Sequence, residues 1–374
     1  MADKSIRAGR EPLFHVTKRS DFPKWKTLLV YVAAIALGFL LCSIIFAAAF
    51  GLNPVMVYGG MFRGAFGTKR KVWIFIRDTM LLLGVGLALI PAFKMKFWNL
   101  GGNGQITVGA LAAVACMFYL GGKLPDGVVS VMIILSSVLA GVIWAVIPAI
   151  FKAFFDTNES LFTLMLNYIA FAFVNLAISK WNPSGSQSLG EITRGNLPVI
   201  GQSYRYLLID IVIAVVAVLM FVYLKFSKHG YEISVVGESR NTARYVGINV
   251  KKVTIRTMVL SGAICGLMGG LIAGAWHHSV SAEIANNLGF TAIMTSWLAG
   301  FDPVVLIATS AFVIFLNKGM SGVLSICNIT SNAIPDVVIG IIYFCIIGCS
   351  FFIRYRVRFN RSKKAGGKTE KEGK

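Results

Sequence analysis

The sequence predicts an all-α polytopic membrane protein with about ten transmembrane helices, and three observations predict it. Hydrophobic residues make up 56% of the 374-residue chain and charged residues only 14%, with a mean hydropathy of +0.73. Too little polar surface remains to cover a water-soluble globule of this size. The apolar residues gather in runs long enough to cross a hydrocarbon core of about 30 Å, and in lipid every backbone polar group needs a partner, so each run is expected as a helix. The formal charge of +20 sits in tails and loops between those runs. That placement is the pattern of orienting charges, not of a nucleic-acid-binding face, so no nucleic-acid partner is expected.

A basic segment, 1–26, with Lys4, Arg7, Arg10, Lys18, Arg19, Lys24 and Lys26, precedes the first apolar run, 27–50. This run exceeds the apolar region of a secretory leader, about 7 to 15 residues, so an uncleaved first span is expected. The remaining spans fall at about 77–94, 99–120, 127–150, 160–179, 205–225, 255–275, 286–300, 303–318 and 335–353, and 286–318 reads either as two spans or as one re-entrant hairpin. The membrane region thus covers 27–353. An even number of spans puts both ends on one side, and Arg354, Arg356, Arg358, Arg361, Lys363 and Lys364 after the last run match the basic N-terminus. Both termini are therefore placed in the cytoplasm, together with the basic loop 226–256. Arg63, Lys69, Arg70 and Lys71 go against this count, since they follow the first span and would lie outside.

The tail 354–374, rich in Lys and Gly, reads as disordered. Its Gly367-Lys368-Thr369 fragment lacks the first glycine of a phosphate-binding loop, because position 362 is Ser362, and no strand precedes it. No ATPase site and no cofactor are expected in this chain. The six cysteines form no C-x-x-C pair, and Cys345 and Cys349, one turn apart, have no His or acid beside them. They read as packing residues. His277, His278 and Glu283 are placed in an outer loop and lack helical metal-ligand spacing, so no metal is expected there either. Asp210 and Asp336 lie within or at the ends of spans.

Four stretches carry chemistry. In Phe97 to Gln105, Asn99, Gly101, Gly102, Asn103, Gly104 and Gln105 interrupt the apolar pattern beside a span. Such a segment faces either protein and a water-filled passage or, on a plainer reading, a cytoplasmic turn. In Asn158 to Tyr168, Glu159, Thr163 and Asn167 follow one another at i, i+4 and i+8 and share a stripe that faces the bundle interior. That stripe either touches solute or hydrogen-bonds to a neighbouring helix. Asn158 can also cap the helix. In the loop 230–250, Glu238 to Tyr245 is expected as one short helix with Glu238 at its positive end, Arg244 at its negative end and Gly247 stopping it. An exposed, capped, charged helix between two spans is either a docking surface, with Asn241, Ala243 and Tyr245 inside it, or a solvated loop. Finally Gly262, Gly266, Gly270 and Gly274 form an i, i+4 series, a seam for close helix packing.

At these residues the chain resembles the ATP-binding-cassette importer permeases that include the ribose, branched-chain amino acid and nucleoside permeases, closest to the nucleoside or "simple sugar" branch. A pattern like F-N-I-G-x-E-G-Q is matched by Trp98 to Gln105, with Asn103 where an acid is usual. A pattern like N-E-x-x-x-T-L-M-L-N-Y-I is matched by Asn158 to Ile169. A third, like G-Y-x-x-x-x-V-G-x-x-x-x-A-A-R-Y-x-G-I, is matched by Gly230 to Ile248, with Thr242-Ala243 at the small pair, while Gly289 to Gly300 matches its counterpart only loosely. The resemblance runs from about residue 50 to 350. It implies a type II-like importer permease fold in a bacterial cytoplasmic (inner) membrane, with Glu238 to Tyr245 as the coupling helix on a separate ATPase subunit that uses ATP and Mg. It further implies a second permease subunit, expected as a different homologous chain, and an extracytoplasmic binding protein or lipoprotein that delivers a nucleoside or another ribose-containing or simple sugar solute. The amides and hydroxyls named above are the expected lining for such a neutral solute. Two rivals are weighed on the residues: an ion-coupled secondary transporter needs deep titratable groups as its coupling device, and a membrane enzyme needs clustered His, Asp or metal ligands.

Overall fold

The computed structural model describes residues 14–18, 23–51, 53–182, 188–198, 207–327 and 333–359. The basic residues Lys4, Arg7, Arg10 and Arg19 and the tail from Arg361 on, with Gly367-Lys368-Thr369, lie outside them. The described chain falls into two compact units, 1–57 with 332–374, and 58–331.

The first unit pairs α1 (Lys24–Phe50) with α13 (Ala333–Arg354). Gly38 permits the approach, since a Cβ there would stand 3.0 Å from Ile342 Cγ1. Beyond the helices, β1 (Phe14–Lys18) and β2 (Tyr355–Phe359) pair antiparallel, Phe14 opposite Phe359 and Lys18 opposite Tyr355. This corrects the expectation of a disordered tail from 354 onward. Tyr355-Arg356-Val357-Arg358-Phe359 alternates β-formers with arginines, the period-2 signal of a strand, and its basic composition masked that signal.

The second unit is a helical bundle built around α3 (Lys69–Lys94), α4 (Gly102–Leu120) and α10 (Val250–Leu271), which are the most buried of its membrane-length helices. Around them stand α5 (Asp126–Phe155), α6 (Glu159–Trp181), α7 (Leu207–Phe226) and α12 (Pro303–Ile326), each apolar on its outward face as a lipid-facing helix must be. Eight described helices have the length and composition to cross a membrane. The glycine series of α10 lies against α5: Gly262 and Gly266 meet Gly141, and Gly270 meets Ser137. Gly269, one position off that series, meets α4 at Ile106 and Ala110, and Gly109 meets Gly266. Small residues on three helices thus bring their backbones together where no larger side chain fits.

Three elements differ from expectation. The run 286–300 is not a span: α11 (Leu288–Leu298) has 11 residues, about 16 Å and half a hydrocarbon core. Asn286, Asn287, Gly300 and Phe301 all adopt positive φ at its two ends, a left-handed conformation that stops a helix. The cationic stretch after the first span is not a loop either, because α2 (Pro54–Phe66) occupies it and Lys69, Arg70 and Lys71 open α3, capped by Thr68. Lastly, α10 widens into a π-helical turn, Ile272–His277, so His277 belongs to a helix end and not to the outer loop.

Candidate functional site

Chain continuity breaks between α3 and α4. Lys96 takes φ 58°, and Met95 to Gly101 runs as irregular backbone lodged among helices. Such backbone needs substitutes for its lost helical bonds, and side chains supply them. The Asn99 Oδ1 accepts from the Gly101 N–H (3.0 Å) and from the Gln105 side chain (3.4 Å), while its Nδ2 donates to Ser261 Oγ at 3.4 Å. Ser261 sits about three turns into α10, so the Asn99 end of the break reaches well into the bundle.

The polar stripe of α6 reaches the same segment. Thr163 Oγ1 accepts from the Leu100 N–H (3.1 Å) and donates to the Glu159 carbonyl (2.7 Å). Asn167 clamps it from both sides, accepting from the Gly104 N–H (2.8 Å) and donating to the Leu100 carbonyl (3.0 Å). Glutamate 159 turns instead to Lys152, 3.0 Å away. Gly104 is required by proximity, since a Cβ there would stand 2.7 Å from the Asn167 amide oxygen, and Gly101 is tight, 3.1 Å from Thr163 Cβ. The half-helix α11 joins through Asn103, whose Oδ1 accepts from the Gly289 N–H at 2.7 Å. Asparagine therefore supplies the acceptor that an acid would offer at this position, without its charge. Gly102 faces Gly289 across this junction.

The sequence-predicted residues Asn99, Gly101, Gly102, Asn103, Gly104, Gln105, Thr163 and Asn167 are thus brought together, all buried, with their bonds directed largely at one another and at the broken backbone, whereas Glu159, also buried, directs its carboxylate to Lys152 and does not join them. The starts of α4 and α11 meet here, so the positive ends of two helix dipoles converge, while the Gly104, Leu288 and Gly289 N–H groups are already held by Asn167, the Ala285 carbonyl and Asn103. Gln105 Oε1, Thr107 Oγ1, Thr257 Oγ1 and Trp144 Nε1 lie buried in the same bundle without a hydrogen-bond partner.

An aromatic cluster flanks the break and went unnoticed in the sequence. Trp98 and Trp297 lie 5.3 Å apart and remain 39% and 49% exposed, and Phe301 links Trp297 to Phe93 (6.0 and 5.8 Å). The sequence signal was Trp98 at the head of the glycine-rich motif. A second unforeseen group lies about 25 Å along α3 from its α4-proximal end. Asp78 pairs with Arg77 (2.6 Å) and Lys318 (2.6 Å), the Arg77 guanidinium covers the Trp276 ring at 3.6 Å, and both Asp210 carboxylate oxygens are buried without a hydrogen-bond partner. No group of three or more His, Cys, Asp or Glu positioned to hold a metal exists among the described residues.

At the other end the loop 226–256 forms two helices, not one. Helix α8 (Lys228–Glu238) is capped by Ser227 and α9 (Arg240–Tyr245) by Ser239. Glu238 therefore closes α8, at its negative end, and does not open the expected coupling helix; the Ser239 hydroxyl caps α9 instead. Helix α8 is held by Glu232, bonded to Arg256 at 2.8 Å, by Gly237 against the Lys94 carbonyl, and by Lys96 donating to the Glu238 carbonyl (3.5 Å). Hydrogen bonding from Arg256 holds the Glu232 carboxyl below the usual carboxylate range. Helix α9 stands out from the bundle: only Ala243 is buried, Tyr245 is 92% exposed, Asn241 and Arg244 are exposed, and Gly247 (φ 82°) ends the segment.

Membrane-length helices interrupted at depth by a glycine- and amide-rich break, with a short exposed helix at one rim, define a multi-pass membrane permease. Residues 72–347 match the family model described as branched-chain amino acid transport system / permease component, and the chain belongs to that family. It is 27% identical to the nucleoside ABC transporter permease protein NupB of Lactococcus lactis subsp. cremoris, over 94% of this chain and 98% of the relative. It is 28% identical to the guanosine ABC transporter permease protein NupP of Bacillus subtilis, over 88% and 95%. To the glucose ABC transporter permease protein TsgB13 of Haloferax volcanii it is also 28% identical, over 91% and 92%. These relatives are permease subunits, and this chain is a transport component of the same kind.

Proposed function

We propose that this chain, with a second and different permease subunit, lines a pathway that imports nucleosides or related ribose-containing or simple sugar solutes across a bacterial cytoplasmic membrane, both termini facing the cytoplasm. The observation that carries this reading is the junction of the α4 and α11 starts, held by Asn99, Asn103, Thr163 and Asn167. Two helix starts at depth turn the positive ends of their dipoles toward an uncharged, hydroxyl-rich solute, and the Trp98–Trp297 pair beside them offers a flat face to a base or sugar ring. The names of the relatives, nucleoside, guanosine and glucose permeases, support the same solute class.

The engine is a separate ATPase subunit, which uses ATP and Mg and docks on α9 through Asn241 and Tyr245; an extracytoplasmic binding protein or lipoprotein delivers solute. Closure of the ATPase pair moves α9, and with it α8, whose end packs on the α3 terminus next to the break. Each state then binds solute differently, which is the source of the coupling. The test is uptake of labelled guanosine by proteoliposomes holding the full complex. Uptake should need ATP inside, and unlabelled nucleosides or ribose should compete while leucine does not. Uptake that proceeds without ATP and follows a proton gradient would make the chain an ion-coupled secondary transporter instead.

A further inference from the structure

A cleft of about 570 Å³ opens between the last turn of α5, the exposed α9 and the first turn of α10. Lys152, Arg240, Arg244 and Lys251 line it against one carboxylate, Asp156. Lys152 bonds to Asp156 (2.8 Å) and Glu159 (3.0 Å), and Arg240 reaches Asp156 at 3.6 Å, whereas Arg244 and Lys251 have no ion pair among the described residues. The cleft is thus strongly and incompletely compensated positive. Its shoulder is aromatic: Lys251 Nζ stands 4.6 Å over the Phe154 ring, itself 57% exposed on the outward face of a membrane-length helix. On α9, Arg240 and Arg244 are one turn apart and both line the cleft, while Asn241 and Tyr245 do not. The helix therefore has one basic face turned to the cleft and another turned away.

We propose that this cleft binds the phosphate-bearing headgroup of an anionic phospholipid. Cations gathered where spans end, beside an outward aromatic wall, recognise a phosphate whose acyl chains continue along the bilayer. Arg240 and Arg244 offer forked donors to phosphate oxygens, and Lys251 a point charge. A lipid so held sits behind the docking helix and fixes the angle at which Asn241 and Tyr245 are presented. Placing this rim at headgroup level rests on the permease reading, but lipid retention is measured directly, so a failure of the solute assignment leaves it untouched.

The full chain, purified with its partner subunits, is delipidated and titrated with phosphatidylglycerol or phosphatidylcholine in native mass spectrometry. Wild type should retain one phosphatidylglycerol per chain in preference to phosphatidylcholine, and R244Q/K251Q should lower that retention about tenfold. K225Q, whose lysine lies over Phe221 and Phe226 outside the cleft, should retain it, and so should the charge-preserving R244K/K251R. Equal retention by R244Q/K251Q and wild type overturns the proposal, as does equal retention of the two lipids. Displacement of the lipid by millimolar inorganic phosphate that itself stays bound would assign the cleft to a free anion. Unchanged lipid retention with loss of the ATPase subunit would assign it to an acidic surface of that partner. Should R244Q/K251Q not fold, photo-crosslinking of phosphatidylglycerol to wild type decides, labels on 152–154 and 240–251 being required.

Discussion

Replacing Asn167 by alanine removes one side chain that closes two bonds, the acceptor for the Gly104 N–H at 2.8 Å and the donor to the Leu100 carbonyl at 3.0 Å. The Gly104 N–H, buried in the first turn of α4, has no helical acceptor and is left bare. A buried polar group stripped of its partner costs about 1–3 kcal/mol, so two come to roughly 2–6 kcal/mol. For a bundle of this size that corresponds to a fall of roughly 4–12 °C in the unfolding midpoint. The assay is fluorescence-detected thermal unfolding of the purified complex beside uptake by the same preparation. Asn167→Asp should recover part of the loss, because a carboxylate still accepts from Gly104 but cannot donate to Leu100. A variant whose midpoint is unchanged and whose uptake is abolished would refute this account and make Asn167 a solute contact rather than a clamp on the break.

Three further outcomes follow from contacts elsewhere in the chain. Gly266→Leu should abolish monodisperse folded protein in size-exclusion chromatography, because its Cβ would meet the Ser137 carbonyl and Gly141; Gly340→Ala, with nothing within 4 Å of the added atom, should elute like wild type. Tyr245→Asp should leave thermal stability within about 0.5 kcal/mol, as expected for an exposed side chain, yet lower solute-stimulated ATP hydrolysis at least tenfold, and unchanged coupling would remove α9 as the docking element. The Glu232–Arg256 bond depresses the carboxyl, so its contribution is complete above the ordinary glutamate range and is lost as pH falls through the lowered value. Proteolysis between α7 and α9 should rise on acidification through that window in wild type, and Glu232→Gln should cleave equally fast at all pH values tested; a pH profile unaltered by the substitution would mean another group titrates.

How much of this was legible in the sequence depends on whether the signal was local. The membrane-length helices were legible because a run of apolar residues declares itself without reference to any partner. So were Thr163 and Asn167, whose spacing fixes a common face, although spacing could not say that the face meets the Leu100 and Gly104 backbone. The half-helix α11 was hidden inside an apolar run, and its punctuation, Asn286-Asn287 before and Gly300 after, marks left-handed residues that hydropathy does not weigh. The division of the loop 226–256 was local yet misread: Ser227 and Ser239 each stand three residues before the N–H they cap, and Glu238, the more conspicuous charge, drew the boundary two residues early. Arg77, Asp78 and Lys318 were beyond reach, because adjacent opposite charges in α3 look self-sufficient until α12 delivers a lysine from 240 positions away.

These two polar regions divide the bundle's chemistry along α3. Near its C-terminal end, amides and hydroxyls hold an uncharged break against α4, α6, α10 and α11, and α8 packs directly on the Lys94 carbonyl. Farther up, charges tie α3 to α12 and, through Trp276, to the widened end of α10. Neutral hydrogen bonds can be exchanged one for another with little change in free energy, whereas removing one partner of a buried ion pair leaves an uncompensated charge. The amide end is therefore the part suited to rearrange when α8 and α9 are pushed, and the ionic end is the part suited to stay fixed as the pivot. Were the rim driven as proposed, the motion would reach the break first and be arrested at Asp78.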